Sequence, residues 1–326
     1  MCNILVFGYG KIGQIKAEIY KSLGCNIYVV DPNKKLEQDI YSDISLVDAN
    51  FDLYDISTPT DTHITILKKI LQRQRNASVL IEKPLCNSLS DYEDYLLLCK
   101  EYPLAKIFLS ENYFYSSVMS DLKALIKQQN WFIKNIQIEF SKDRSIDVSK
   151  GRFVDTMLGG IGIEVPHMLS LLYDLGIKNF SVTRIEHSLN GINWNGDDDF
   201  VLGALSPSGE QISLYQSLVG NYRLKDANFD LPAEKSEVSS YRVMKVVMTC
   251  GHKVWIQFEP IPGFPRFFST IFDSYRKQKK SLNDNTMKSL IKDLTCTFQK
   301  VELISSKSDF IAWQTKNLFK LKDICQ

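Results

Sequence analysis

The 326-residue sequence contains no uninterrupted apolar run approaching the ~20 residues of a membrane-crossing helix. Its opening, Met1-Cys2-Asn3-Ile4-Leu5-Val6-Phe7-Gly8, lacks the long apolar stretch and cleavage site of a secretory signal. A cytoplasmic protein with no membrane partner is expected. An excess of one charge is also missing: Lys and Arg total 39, Asp and Glu total 38, and the formal net charge is +1. A dedicated nucleic-acid binder would show a basic surplus, so no nucleic-acid partner is expected. The seven cysteines are odd in number, scattered, and never spaced as paired metal ligands, which predicts reduced structural thiols and no metal site. Neither an internal repeat nor a low-complexity segment occurs, and this removes solenoid and disordered architectures.

What is present is ordinary globular composition, 44% hydrophobic and 24% charged, enough for a large core and a soluble surface. At about 100 to 200 residues per domain the length favours two domains. The first third alternates apolar strands (4–7, 26–30, 53–56, 79–81, 106–109) with helical stretches (11–23, 62–74, 91–100), the order that builds a parallel sheet with crossover helices. Beyond about 131 the pattern becomes β-rich, over 131–141, 180–188, 200–205, 211–219 and 242–249. A helix carries Met168, Leu171, Leu172 and Leu175 on one face with Gly176 at its end, and the chain from about 286 reads as helical. Residues 224–240 read as a long polar loop.

The strongest motif is Gly8-Tyr9-Gly10-Lys11-Ile12-Gly13, a GxGxxG directly after the first strand and opening the first helix. Its glycines permit a tight turn, close approach of backbone to a pyrophosphate, and close helix–strand packing, while the helix N-terminus offers N–H groups to phosphate. Asp31 follows Gly13 by 18 residues, near the ~20 expected of a carboxylate that binds a ribose diol. A carboxylate there repels a 2′-phosphate and favours NAD over NADP; Lys34 and Lys35 weaken that preference.

Four further segments carry chemistry, and each has a plainer alternative. Ser57-Thr58-Pro59, with His63 behind it, either borders the cofactor or simply starts a helix. Glu82-Lys83-Pro84 leaves a strand end, where Lys83 would hydrogen-bond a substrate oxygen or belong to a solvated loop. Gly159-Gly160 leads into Glu164, Pro166 and His167. With Pro166 in a first helical turn, His167 lies at the positive end of the dipole and stays a neutral proton acceptor; the alternative is a packed structural histidine. Finally, Arg144 and Arg152 bracket the approach to that turn and would suit an anionic substrate if they converge, whereas separate solvated loops would leave them apart.

Taken in this order, the GxGxxG, Thr58-Pro59 with His63, Glu82-Lys83-Pro84 and Gly159-Gly160 followed by His167 resemble the glucose-fructose oxidoreductase and inositol dehydrogenase family (Gfo/Idh/MocA). The resemblance implies an N-terminal Rossmann domain over 1–115 and a C-terminal α/β domain over 116–326 with a large, mainly antiparallel open sheet. It further implies that the final helices return to the first domain and that homodimers or homotetramers form through the sheet. Lys83 would orient and polarise the reacting oxygen and His167 would relay the proton, with Ser57, Thr58, Pro59, His63 and Glu82 near the cofactor. Asn112 and Tyr113, at the crossing between domains, would face a polyol. Many members place an aspartate four residues before the histidine; here Ile163 stands there and Glu164 follows it. The implied activity is NAD(H)-dependent hydride transfer to or from a secondary alcohol or ketone of a sugar, nucleotide sugar or cyclitol. Reduction of an imine or enone and a non-catalytic nucleotide-binding sensor or scaffold protein remain as alternatives.

Overall fold

The computed structural model describes residues 2–33, 40–47, 50–149, 151, 155, 157–188, 199–232, 240–297 and 305–325; for 146, 148, 187–188, 296–297 and 305–308 it describes the backbone alone. The chain divides into two compact units, Met1–Asn112 with Met287–Asn317, and Tyr113–Thr286 with Leu318–Gln326.

The first unit runs β1 (Asn3–Phe7), α1 (Lys11–Ser22), β2 (Asn26–Val30), β3 (Ile40–Tyr41), β4 (Leu53–Ile56), α2 (His63–Arg73), β5 (Ser78–Ile81), α3 (Leu89–Glu101) and β6 (Lys106–Leu109). The strands form one parallel sheet in the order β3-β2-β1-β4-β5-β6. Every residue of β4 and β5 is buried, as expected of short apolar runs covered on both faces by crossover helices. Strand order reverses between β1 and β4, and ligands of such sheets lie beyond the carboxyl ends at that switch.

The second unit contains α4 (Ser117–Gln129), β7 (Ile133–Lys142), α5 (Ser145–Ser149), α6 (Ile161–Asp174), β8 (Ser181–Ser188), β9 (Asp199–Leu205), β10 (Gln211–Ser217), β11 (Ser240–Met248), β12 (Lys253–Gln257), β13 (Phe268–Asp273) and β14 (Gln278–Asn283). The helices α7 (Thr286–Thr297) and α8 (Ser305–Cys325) end the chain. Its eight strands are ordered β14-β13-β12-β11-β7-β10-β9-β8, antiparallel except for the central pair β7 and β10. Ile136, Ile138, Phe140, Leu214 and Met244 share the face covered by α6, whose Ile161, Val165, Met168, Leu169 and Leu172 are all buried. Gln216 fastens that helix, accepting from Glu164 N (3.0 Å) and donating to Gly160 O (3.0 Å).

Two expectations change. Strands β12 to β14 were not apparent in the sequence, because the Pro260 to Pro265 hairpin breaks the pattern and β14, Gln278–Asn283, is a mostly exposed edge without apolar alternation. The start of α6 also moves. It begins at Ile161, with Gly162 N and Ile163 N bonded to Gly159 O and Gly160 O, so Pro166 lies inside the helix rather than in its first turn. The helix dipole acts only within the end turns, and His167, the seventh residue of α6, lies beyond its reach.

Candidate functional site

Steric demands fix the glycine turn. Gly8 has φ +84°, and a Cβ there would stand 2.7 Å from Ser57 O; a Cβ on Gly13 would lie 2.0 Å from Gly8 O. Neither position admits a side chain. Gly10 differs, since nothing lies within 4 Å of its Cβ direction, and it begins α1 with no side-chain cap. An open, uncapped helix start is what a pyrophosphate requires. Asp31 stands at the end of β2, accepting Tyr9 N on Oδ2 (2.8 Å) and Asn33 N on Oδ1 (2.9 Å). Those bonds aim the carboxylate and leave each oxygen a further lone pair for a ribose hydroxyl. These residues fit a dinucleotide. Lys34, Lys35, Lys150 and Arg152 lie outside the described residues.

Beside this turn, the ends of β4 and β5 are tied together. Ser57 N donates to Phe7 O (2.8 Å) and Glu82 N to Ile56 O (2.9 Å), so Ser57 and Lys83 leave the same edge of the sheet. Thr58 packs its methyl against Gly8, and Pro59 precedes a single 3₁₀ turn over Thr60–Thr62. His63, fully enclosed, braces the two strand ends: Nε2 lies 3.0 Å from Thr58 O, and Nδ1 lies 3.1 Å from both Pro84 O and Leu85 O. Burial pushes its pKa below the usual imidazole value, although the surrounding carbonyls and Glu82 oppose that shift. The Lys83-Pro84 peptide is cis.

Beneath this edge lies an ionic group that was not singled out in the sequence. Lys16, completely buried, places Nζ 2.9 Å from Asp55 Oδ1 and 2.6 Å from Glu82 Oε1. Asp55 also accepts Tyr20 OH (2.7 Å) and Ser57 Oγ (2.8 Å). Burial disfavours the Glu82 carboxylate, yet Lys16 and Ser110 hold its pKa below the ordinary value, with Lys83 a weaker contributor. A signal for this group existed: Gly13, Lys16, Ala17 and Tyr20 form the buried stripe of α1, and Asp55 interrupts an apolar strand.

In the second unit, His167 is half-buried on α6 and meets the ring of Tyr113 edge-on at 5.1 Å; Tyr113 packs likewise on Phe140 (5.2 Å) and Phe258 (5.1 Å). Asn112 precedes this cluster in a 3₁₀ turn. Arg144 and Glu164 come together as a buried ion pair, and Arg144 also reaches Asp147 (2.8 Å). Burial alone would raise the Asp147 pKa, but Arg144 and Lys142 hold it at about 2. A second guanidinium was missed: Arg242 lies opposite Phe140 in the β7–β11 pair and 3.9 Å from Glu164 Oε2. Burial opposes its charge, while Tyr113, Glu164 and Glu259 raise its pKa. Among the described residues no cluster of three His, Cys, Asp or Glu side chains could hold a metal ion, and no helix is long and apolar enough to cross a membrane.

Residues 2–108 match the Gfo/Idh/MocA family model, described as an oxidoreductase family with an NAD-binding Rossmann fold. Solved structures with the same fold include a UDP-N-acetylglucosamine 3-dehydrogenase from Acidithiobacillus ferrooxidans (14% identity, TM-score 0.71, covering 100% of this chain and 99% of that one). An oxidoreductase from Agrobacterium radiobacter in complex with NAD+, L-tartaric acid and magnesium is 13% identical (TM-score 0.70, covering 97% and 94%). A myo-inositol dehydrogenase from Corynebacterium glutamicum is 14% identical (TM-score 0.69, covering 100% and 95%). A search of curated proteins finds no match.

Proposed function

We propose, from a first unit that carries the NAD-binding Rossmann fold of the Gfo/Idh/MocA oxidoreductases, that this chain is an NAD(H)-dependent oxidoreductase acting on a secondary alcohol or ketone of a sugar, nucleotide sugar or cyclitol. The observation that carries the reading is the open α1 start at Gly10 beside a ribose-binding carboxylate aimed by Tyr9 N. Bound nicotinamide supplies the hydride acceptor or donor. Gly8, Gly10 and Gly13 admit the pyrophosphate to the backbone N–H groups of Lys11 and Ile12, and Asp31, held by Tyr9 N, takes the ribose hydroxyls. Ser57, Thr58 and Pro59 border the cofactor, while His63 and Glu82 support that border from behind.

In this reading the Lys83 ammonium donates a hydrogen bond to the reacting oxygen, and His167 takes up the proton that leaves the alcohol as hydride departs, or returns it in the reverse direction. Asn112 and Tyr113 contact hydroxyls of the substrate. Arg144 and Glu164, paired with each other, support Arg242 and Tyr113 rather than bind substrate directly. NADH is expected to raise the melting temperature more than NADPH at equal concentration; the opposite order removes the role of Asp31. A redox screen over phosphorylated sugars, nucleotide sugars, inositols and their keto forms, followed by NADH absorbance, identifies the substrate. Lys83→Ala should then lower kcat by about 100-fold or more with NADH affinity retained, and wild-type turnover would take Lys83 out of the chemistry.

A further inference from the structure

Helix α3 carries apolar residues on both of its sides. Ser88 caps its first turn, accepting Asp91 N (3.1 Å), and Tyr92, Tyr95 and Leu98 form the face that it buries. The helix leads into β6, the strand at the end of the first sheet. Its opposite face is not the polar surface expected of a helix that packs on one side only. Leu89, Leu96 and Leu97 stand there with 45–63% of their surface exposed, and Leu104, in the turn after the helix, is 73% exposed. At about 3.6 residues per turn, Leu89, Glu93, Leu96, Leu97 and Lys100 fall within an arc of about 100°. Single exposed leucines are common, whereas several gathered on one side of a 13-residue helix and its following turn mark a contact surface.

The order of these residues is symmetric about its middle. Leu96 and Leu97 are neighbours, Glu93 and Lys100 stand three residues outside them, and Leu89 and Leu104 stand seven residues outside. Reversing the direction of the segment therefore sets leucine on leucine and exchanges the acid for the base. A two-fold axis passing between Leu96 and Leu97 makes the same exchange between two copies of the chain. We propose that this face is an isologous contact surface for a second copy of the chain, with the two α3 helices antiparallel. Leu96 packs on Leu97 of the other copy, Glu93 pairs with its Lys100, and Leu89 meets its Leu104, each contact occurring twice. A parallel pair would set Glu93 on Glu93 and Lys100 on Lys100 and would align the helix dipoles; the antiparallel pair reverses both effects. Glu93 and Lys100 are exposed, as that pairing requires. One helix pair buries less than the roughly 1,200 Å² of a stable complex, so the contact is weak and fills at high chain concentration. It uses no residue of the second unit's sheet.

The test is sedimentation equilibrium of the full chain up to about 1 mM, the weak end of specific association. Wild type is expected to gain weight-average mass with concentration, and Leu96→Glu with Leu97→Glu to lose at least half of that gain at an unchanged melting temperature. Glu93→Lys and Lys100→Glu, each alone, should weaken association about tenfold, because each sets two like-charged contacts in the pair. An equimolar mixture of those two variants should restore the wild-type mass, since in the mixed pair every contact again joins an acid to a base. Association through the second unit's sheet is common to all these proteins and cancels from the comparison. A wild-type mass that does not rise overturns the proposal, as does a folded leucine variant that associates like wild type. A mixture as weak as its components also overturns it, and is the result that contact with an unrelated surface of the second copy would give. If the leucine variant does not fold, the charge series decides by itself, because its two positions are exposed.

Discussion

At Gly10 and Gly13 the same substitution should have opposite consequences. A methyl on Gly13 meets Gly8 O at 2.0 Å, a distance no side-chain movement relieves because both partners are backbone. Gly13→Ala must therefore push α1 away from β1, and destabilisation of about 2 kcal/mol or more is expected, comparable with other overpacked cores. Gly10→Ala meets nothing, since its φ of −73° suits any residue and its Cβ points into open space. It should keep the melting temperature within a few degrees while weakening NADH, whose phosphates would share that space. Thermal melts with and without NADH check both halves, and a stable Gly13→Ala protein that binds NADH normally would refute the packing argument. The glycine motif is legible in sequence because Gly8 and Gly13 answer local steric needs, while Gly10 leaves the helix start open. Arg242 is not, since its meeting with Glu164 depends on the β7–β11 register, which a linear reading does not contain.

Between elements, the joint that holds the strand ends is His63, the first residue of α2. Its ring touches carbonyls on either side, Thr58 after β4 and Pro84 and Leu85 after β5, so it spaces the segment bordering the glycine turn from the segment carrying Lys83. His63→Leu fills a similar volume but removes the one N–H that the neutral ring donates among those carbonyls, and a loss of about 1–3 kcal/mol is expected. The pH dependence has a definite sign. Folding lowers the pKa from 6.5, so below about pH 6.5 the unfolded chain takes up a proton that the folded chain refuses. Stability contributed by the neutral ring is therefore present above that pH and lost as pH falls towards the folded value. Urea unfolding at pH 7.5 and pH 5.5 should show the difference between wild type and His63→Leu shrinking at the lower pH; a constant difference would contradict the assignment. The Thr58-Pro59 motif predicts only that His63 lies near the cofactor. The brace depends on the backbone course after β5, and no spacing rule reports that.

Over the whole molecule, the second unit leaves one face of its sheet to be covered by its own chain. Residues 220–232 cross β7, β11 and β12: Tyr222, Leu224 and Phe229 pack with Tyr241, Val243 and Trp255, Asp226 pairs with Lys245 (2.8 Å), and Asp230 N donates to Gln257 Oε1 (2.8 Å). Any homodimer built through this sheet must accommodate that strap. Its central anchor is Glu139, fully buried on β7, which accepts Arg223 N (3.1 Å), Leu224 N (2.5 Å) and Ser141 Oγ (2.9 Å). Burial raises its pKa from 4.5 to about 7; the three donors and the Arg223 charge offset only part of that, and Tyr215 and Tyr241 also face the group. Between those two values the folded chain keeps a proton that the unfolded chain has lost, so stability falls as pH rises from about 4.5 to 7, by at most on the order of 3 kcal/mol. Glu139→Gln keeps an oxygen for the two backbone donors and has no proton to lose. Its stability relative to wild type should therefore increase from pH 5 to pH 8, a comparison that cancels the opposite trend from His63 because that residue is unchanged in both proteins. Urea midpoints at the two pH values measure it directly. Equal wild-type and Glu139→Gln profiles would mean that Glu139 ionises at its ordinary pH and that the strap is held without a buried proton.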